Sequence, residues 1–427
     1  MPSILDGLIP LRKPVNRVSL KGAMNTGGDS MAQTMKGAPT VRQLQGFKYL
    51  KRIDKMLHKL HRAGSERDRA GNRKLSFDRY ALLILLYFFS PALESLRDIQ
   101  RASRLQKLQR VLGIKSTSLG SLSEATEVFD AALLESVIEE LVGQVAPAVV
   151  PREQEALRGL TAVDGSLLPA LPQMAWALWQ DERHRAAKLH LGFEVLRAIP
   201  VQARVTAGNS SETATLRALL EPGRLYVLDR GYAEYALFQT VLDQQSSLIA
   251  RVCSNTTWTE VLEERSLSGA ATEAGVRSDR VVWLGGPQSG QVFKQPLRIL
   301  EIETEPAVPG EAPGTLRVVT NLLALPAELI SLAYRYRWTV ELFFRWLKCI
   351  LGCRHLLSTT ENGVTIQVYL AIIASLLISL WTGAKPCKAT FTMINFYLMG
   401  WADDEELAEY LDSLKRPPPQ RRRRLPS

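Results

Sequence analysis

The stretch Tyr334-Arg-Tyr-Arg-Trp-Thr-Val-Glu-Leu-Phe-Phe-Arg-Trp-Leu-Lys348 constrains the fold more than any other part of this 427-residue chain. Read as a helix turning about 100° per residue, it places Tyr334, Arg337, Glu341, Arg345 and Lys348 within an arc of roughly 80°. Trp338, Leu342, Phe343, Phe344, Trp346, Leu347 and Ile350 fill the remaining positions, so such a helix is expected to pack on most of its circumference. One face then carries a single carboxylate among several cations and a phenol. That composition suits a metal ligand beside a phosphate track. The plain alternative is an exposed i,i+4 ladder running Arg337, Glu341, Arg345.

Two upstream carboxylates shift the balance. Leu160-Thr-Ala-Val-Asp164-Gly165-Ser166 and Leu225-Tyr-Val-Leu-Asp229-Arg230-Gly231-Tyr232 each read as a short apolar strand with an Asp at its tip and a Gly close behind. Either Asp alone suits a turn or a helix cap. Three acids from two strands and a helix can nevertheless converge on divalent ions, which one or two carboxylates and several waters suffice to hold.

The set Asp164-Gly-Ser, Leu228-Asp229-Arg230-Gly231-Tyr232 and Tyr334-x2-Arg337-x3-Glu341-x6-Lys348 resembles the DDE signature of bacterial insertion-sequence transposases. The last motif matches, in all four positions and spacings, the one that defines the insertion sequence 4 family. Thr320-Asn321-Leu322 and Gly363-Val-Thr-Ile-Gln367-Val-Tyr are similar to that family's usual surroundings, and the resemblance spans roughly residues 75 to 385. It implies that Asp164, Asp229 and Glu341 hold two Mg²⁺ ions, with Mn²⁺ able to substitute, for phosphodiester hydrolysis and transfer of DNA 3′-OH ends. It also implies that Tyr334, Arg337, Arg345, Lys348 and Arg230 grip phosphates, Arg337 by a bidentate contact and Lys348 as a point charge. Family members form a hairpin at the element's end and flip a base onto an aromatic residue. Trp283 and Trp258 are candidates for that platform, although a Trp in a β-rich segment is more often core.

The partners implied are double-stranded DNA, as element ends and as target, and a second copy of the chain in the synaptic complex. A rival reading, a DNA-binding regulator of transposition that no longer cuts, finds no support in a chain that keeps all three acids.

Charge agrees with a polyanionic partner. The net charge is +10 and the isoelectric point near 9.5. Residues 1–76 hold 16 Lys+Arg against 5 Asp+Glu, so the excess sits in an amino-terminal arm, with a second cluster at Arg421–Arg424. Such runs add salt-dependent affinity for DNA, or are simply solvated tails.

Periodicity divides the chain into a flexible arm over 1–45, a helical domain over 46–150, which the resemblance implies is DNA-binding, and an α/β core of the RNase H-like type. In the helical part Leu50–His61, Phe77–Ser90 and Leu93–Leu112 read as helices, and Ser121 as the cap of another. The core begins at 158–253 with the order β-β-β-α-β-α-β, is interrupted by a β-rich insertion over 254–315, and resumes over 316–385 with one long helix at 327–351. Residues 386–427 form a helical segment and basic tail.

The four cysteines, Cys253, Cys349, Cys353 and Cys387, have neither zinc spacing nor a disulfide pattern, which fits a reducing cytoplasm and a nucleoid-associated protein. His190 reads as a strand residue rather than a ligand. Met1–Leu11 lacks the pattern of a signal peptide. Ile366–Ala384 carries no charge and is long enough to span a bilayer, yet Gln367, Ser375, Ser379 and Thr382 dilute it. It is expected to be a buried core helix, and no membrane is expected as a partner.

Overall fold

A computed structural model describes residues 53–54, 56–61, 68 and 73–414, apart from 91, 182–183, 287–292, 305–312, 350–351, 353–354 and 384. The basic arm over 1–45 and the tail with Arg421–Arg424 lie outside these residues. The chain forms two compact units. One contains Pro147–Leu167 and Lys188–Phe344; the other contains the helices before residue 146, Leu168–Ala187 and the residues from Arg345 onward.

The first unit is built on a nine-stranded sheet. Its strands are β1 (Leu160–Pro169), β2 (Ala186–Glu194), β3 (Ile199–Ala207), β4 (Leu225–Leu228), β5 (Ser247–Val252), β6 (Trp258–Glu264), β7 (Val276–Leu284), β8 (Leu297–Thr304) and β9 (Gly314–Thr320). The spatial order is β3-β2-β1-β4-β5-β9-β8-β7-β6. Strands β1, β4 and β5 are mutually parallel neighbours, each entered after a helix, whereas β5 to β9 and everything beyond is antiparallel. A 3-2-1-4-5 sheet with helices Glu212–Leu219 and Tyr235–Asp243 as crossovers is the RNase H-like core expected from the sequence. The insertion does not fold apart from that core: its strands continue the same sheet through β9.

The four residues of β4 are all buried, because a parallel strand covered on both faces must be apolar throughout. Tyr226, Leu228, Phe238, Leu248, Val282, Ile299 and Val319 form one contiguous core. At the far edge β6 is almost entirely exposed, and its acidic residues blunt the open edge: Glu264 pairs with Arg280 of the neighbouring strand. Inside the insertion Arg298 and Asp279, both nearly inaccessible, form a bidentate pair at 2.7 and 2.5 Å. The same guanidinium donates to the carbonyls of Leu322, Leu323 and Leu325. Asn321 accepts from the Leu248 N–H at 3.0 Å, tying the end of β9 to the start of β5.

Local expectations needed correction in five places. The long helix at 327–351 is two helices, Ala327–Tyr336 and Trp338–Cys349, separated by a turn at Arg337 whose N–H bonds back to Tyr334 O, three residues away. Trp338 and Leu342 are 37% and 45% exposed, so this segment is less enclosed than its apolar content suggests. Asp164 lies in the middle of β1 rather than at its tip. Leu93–Leu112 is broken at Arg104-Leu105 into Leu96–Ser103 and Gln106–Leu112. The cap of Leu119–Val128 is Ser118, which accepts from the Ser121 N–H, so Ser121 already lies inside the helix.

The second unit is helical. Its centre is Glu361–Thr382, the one helix among the described residues long and apolar enough to cross a membrane. Eighty-three per cent of its apolar window is buried, against Phe77–Phe89, Leu119–Val128 and Glu135–Gln144 of the same unit. The polar residues near its start bind loops: Asn362 donates to the carbonyls of Thr126 and Phe129 at 2.7 and 2.6 Å, and Gln367 bonds both Leu357 N–H and His355 O. Gly363 is required by close approach, since a Cβ there would lie 2.2 Å from Ser358 Oγ and 2.6 Å from Thr126 Cβ.

Candidate active site

The sheet itself brings the first two acids together. Strands β1 and β4 pair in parallel, with Ala162 opposite Val227 as the last matched residues, and Asp164 and Asp229 each follow two residues beyond that pair. Strand β4 ends at Leu228, so Asp229 stands where the backbone turns into the short helical turn Arg230–Tyr232. Neither carboxylate is sealed off; their side chains are 22% and 36% exposed.

The helix Ala327–Tyr336 supplies the groups that hold these acids. Its own position is fixed by the insertion, since Ser331 Oγ donates to Ala274 O at 2.8 Å and Arg335 donates to the same carbonyl at 2.5 Å. The Tyr334 hydroxyl donates to Asp229 Oδ1 at 3.2 Å. At the turn, the Arg337 guanidinium donates to Glu341 Oε1 at 2.9 Å and lies 3.9 Å from Asp164 Oδ2. Phe343, one turn on, packs its ring 5.1 Å from that of Phe193 on β2 and anchors the next helix to the sheet. Thus Asp164, Asp229, Tyr334, Arg337 and Glu341 form one connected cluster.

Electrostatics in the cluster are strained in a definite direction. Burial pushes the Asp164 carboxyl up to about 7; Arg337 and the Gly165 N–H pull it down, while Glu341 and Glu212 push it further up. Burial works against the charge on Arg337, but Asp229, Tyr334, Glu341 and Asp164 outweigh it and hold the guanidinium charged. The Tyr334 phenol is raised by burial first and then by Asp229. A group of acids kept close by one cation, part-solvated and made only of oxygen donors, has the chemistry of a hard divalent-cation site. Asp164, Asp229 and Glu341 therefore fit the divalent metal that the resemblance to DDE transposases implies.

Glu212 escaped the reading of the sequence. It opens the helix after β3 and forms an ion pair with Lys188 at 3.3 Å. Its carboxylate lies over Gly165, where a Cβ would come within 2.9 Å of Oε1. No spacing rule links residue 212 to residue 164; only the return of the chain across β1 and β2 does. Arg251 of β5 was also not singled out, and stands 3.9 Å from Asp229.

The other candidates are placed less centrally. Arg230 is exposed on the turn after Asp229, and Arg345 is exposed one turn beyond Glu341. Lys348 is half-buried on the same helix. Trp258 is half-buried against the sheet core, with the Arg317 guanidinium 5.5 Å from its ring centre. Trp283 is half-buried on β7, opposite Glu260. His190 is a strand residue as expected: buried on β2, it bonds Thr206 at 2.9 Å, and burial lowers it to about 4.

An RNase H-like sheet with one carboxylate in the middle of β1, a second just past the end of β4 and a Glu from a later helix defines a class of α/β folds that carry a cluster of oxygen ligands. Within that class the family can be stated. Residues 155–377 match the model of the transposase DDE domain, and the chain belongs to that family. It is 29% identical over 226 residues to a Geobacillus stearothermophilus protein named as a transposase for insertion sequence element IS5377, covering 52% of this chain and 56% of that one. It is 27% identical over 247 residues to the Sinorhizobium fredii transposase y4zB, covering 57% and 66%. The matches thus span less than two thirds of either relative. The piggyBac transposase synaptic complex with hairpin DNA covers 90% of this chain and 85% of its own at 9% identity and a TM-score of 0.43, too loose a likeness to bear on function.

Proposed function

We propose that this chain is a transposase of the insertion sequence 4 branch, which binds the ends of its element, cuts them and transfers the 3′-OH ends to target DNA. The observation that carries the proposal is the convergence of Asp164, Asp229 and Glu341 around Arg337. These three acids would hold two divalent ions, Mg²⁺ with Mn²⁺ as a substitute. When bound, the ions supply activation of the attacking water or 3′-OH and stabilisation of the leaving oxygen.

The chain's own groups then have separable tasks. Arg337 orients Glu341 and holds Asp164 within reach of it. The Tyr334 hydroxyl fixes the rotamer of Asp229. Arg230, Arg345 and Lys348 would bind phosphates flanking the cut, adding affinity that falls with salt. Trp258 and Trp283 remain the proposed base-stacking groups, with Trp283 preferred because Arg317 already sits beside the Trp258 ring. Synapsis of two ends calls for a second copy of the chain.

The test is incubation of labelled DNA bearing the element's ends with the intact protein and with Glu341→Gln, in Mg²⁺, in Mn²⁺ and in chelator, scoring binding and cutting separately. Metal-dependent cutting and joining, lost in the variant while binding persists, is the expected result. Binding without cutting by the intact protein would favour the regulatory reading instead.

A further inference from the structure

We infer that His58, His61 and Asp78 form a second metal site, in the helical unit, for a transition-metal ion of the zinc class. The proposal rests on placement. His58 opens the turn His58–Leu60, and His61 follows directly, so a three-residue spacing sets both rings on one side. The rings stack with centres 5.3 Å apart. Leu57 and Leu60 are buried and pin the turn, while the imidazoles stay 69% and 47% exposed.

What faces them is a carboxylate in an unusual position. Asp78 is the second residue of Phe77–Phe89, a helix otherwise buried and apolar except at Arg79, and Asp78 itself is 0% exposed. A desolvated carboxylate needs compensating charge. The Nδ1 atom of His61 lies 3.1 and 3.0 Å from its two oxygens, and His58 Nδ1 lies 4.0 Å from Oδ2. One ligand atom from each of the three residues falls within 4.8 Å of the others. Ligands about 2.0–2.2 Å from a tetrahedral Zn²⁺ stand about 3.3–3.5 Å from one another, so the three need shift only slightly to share an ion. The exposed side leaves room for water as the remaining ligand.

Arg79 also approaches the carboxylate, with Nε 3.5 Å from Oδ2. Its Nη1 is engaged by Asp54 and by Leu112 O, both at 2.8 Å. It therefore orients Asp78 without blocking the histidines. The donor set separates this site from the acidic cluster of the other unit: two imidazoles and a carboxylate select zinc-like ions, whereas an all-oxygen set selects Mg²⁺ or Mn²⁺. Only five histidines occur in the chain, and two of them meet here. A bound ion would clip the turn at 58–61 to the start of Phe77–Phe89.

The experiment titrates the full-length, metal-stripped protein with Co²⁺ in a large excess of Mg²⁺, reading visible absorption and binding heat. One equivalent of Co²⁺ is expected to bind with the absorption of a tetrahedral N/O site, and Zn²⁺ to displace it. His58→Gln, at an exposed ring, and the pair His58→Gln with His61→Gln are expected to weaken binding by roughly 100-fold or more, with circular dichroism unchanged. Glu341→Gln is expected to bind Co²⁺ as the intact protein does. Absence of Co²⁺ binding, binding untouched by the histidine variants, or loss of binding in Glu341→Gln would each overturn the assignment.

Discussion

Arg337 stands between two acids, 2.9 Å from Glu341 and 3.9 Å from Asp164, at the turn where one helix stops and the next begins. It is 8% exposed, and its removal leaves the part-solvated Glu341 and Asp164 without their shared counter-ion. Arg337→Ala is expected to lower metal-free stability by about 1.5–3 kcal/mol, the range for losing a hydrogen bond to a charged group. Urea unfolding measures this, and added Mn²⁺ should recover part of the loss by replacing the missing positive charge.

The pH dependence follows from Asp164, raised from 3.8 to about 7. Because the folded value lies above the unfolded one, the metal-free fold loses stability as pH climbs from 3.8 to about 7 and is level above that. A divalent cation requires the ionised carboxylate, so its apparent affinity should climb over the upper part of the same window, with release of a proton. Calorimetry in two buffers of different ionisation heat detects that proton. Asp164→Asn should abolish it.

Glu212 permits a finer test. It raises Asp164 without being one of the three motif acids. Glu212→Gln is expected to move the pH profile of metal binding downward and to slow cutting far less than Glu341→Gln. Equal losses in the two variants would place Glu212 among the metal ligands.

In the insertion, Asp279→Ala leaves the Arg298 guanidinium buried without its counter-ion, held only by backbone carbonyls. The expected loss is about 3–5 kcal/mol, whereas replacing both partners by apolar residues of similar size is expected to cost little. Denaturant titration of both variants decides this.

Close packing at Gly363 gives a prediction for the helical unit. Gly363→Ala forces its Cβ against Ser358 and Thr126, and overpacking of this kind costs about 1–3 kcal/mol. Thermal unfolding should show the loss, and Gly363→Val should exceed it.

The order of strands and crossover helices was legible because periodicity changes from helical to strand-like near residue 158 and apolar runs mark buried strands such as Leu225–Leu228. The motif residues were legible through their fixed spacing, and Asp164, Asp229 and Glu341 do come together with Arg337. What stayed hidden depends on contacts far apart in sequence. The break at Arg337 leaves no trace in a pattern that is helical on both sides. Glu212 reaches the site only through the sheet topology. The role of the insertion was equally unreadable, because Ser331 and Arg335 find Ala274 57 and 61 residues away.

The central claim is that Asp164, Asp229 and Glu341 contact the metal that drives cutting. The measurement is DNA cleavage by Asp164→Cys, Asp229→Cys and Glu341→Cys in Mg²⁺ and in Mn²⁺. A thiolate ligates the softer ion better, so the account predicts variants inactive in Mg²⁺ that regain cutting in Mn²⁺, while the matching Ala variants stay inactive in both. Cys or Ala variants that cut normally in Mg²⁺ would contradict it.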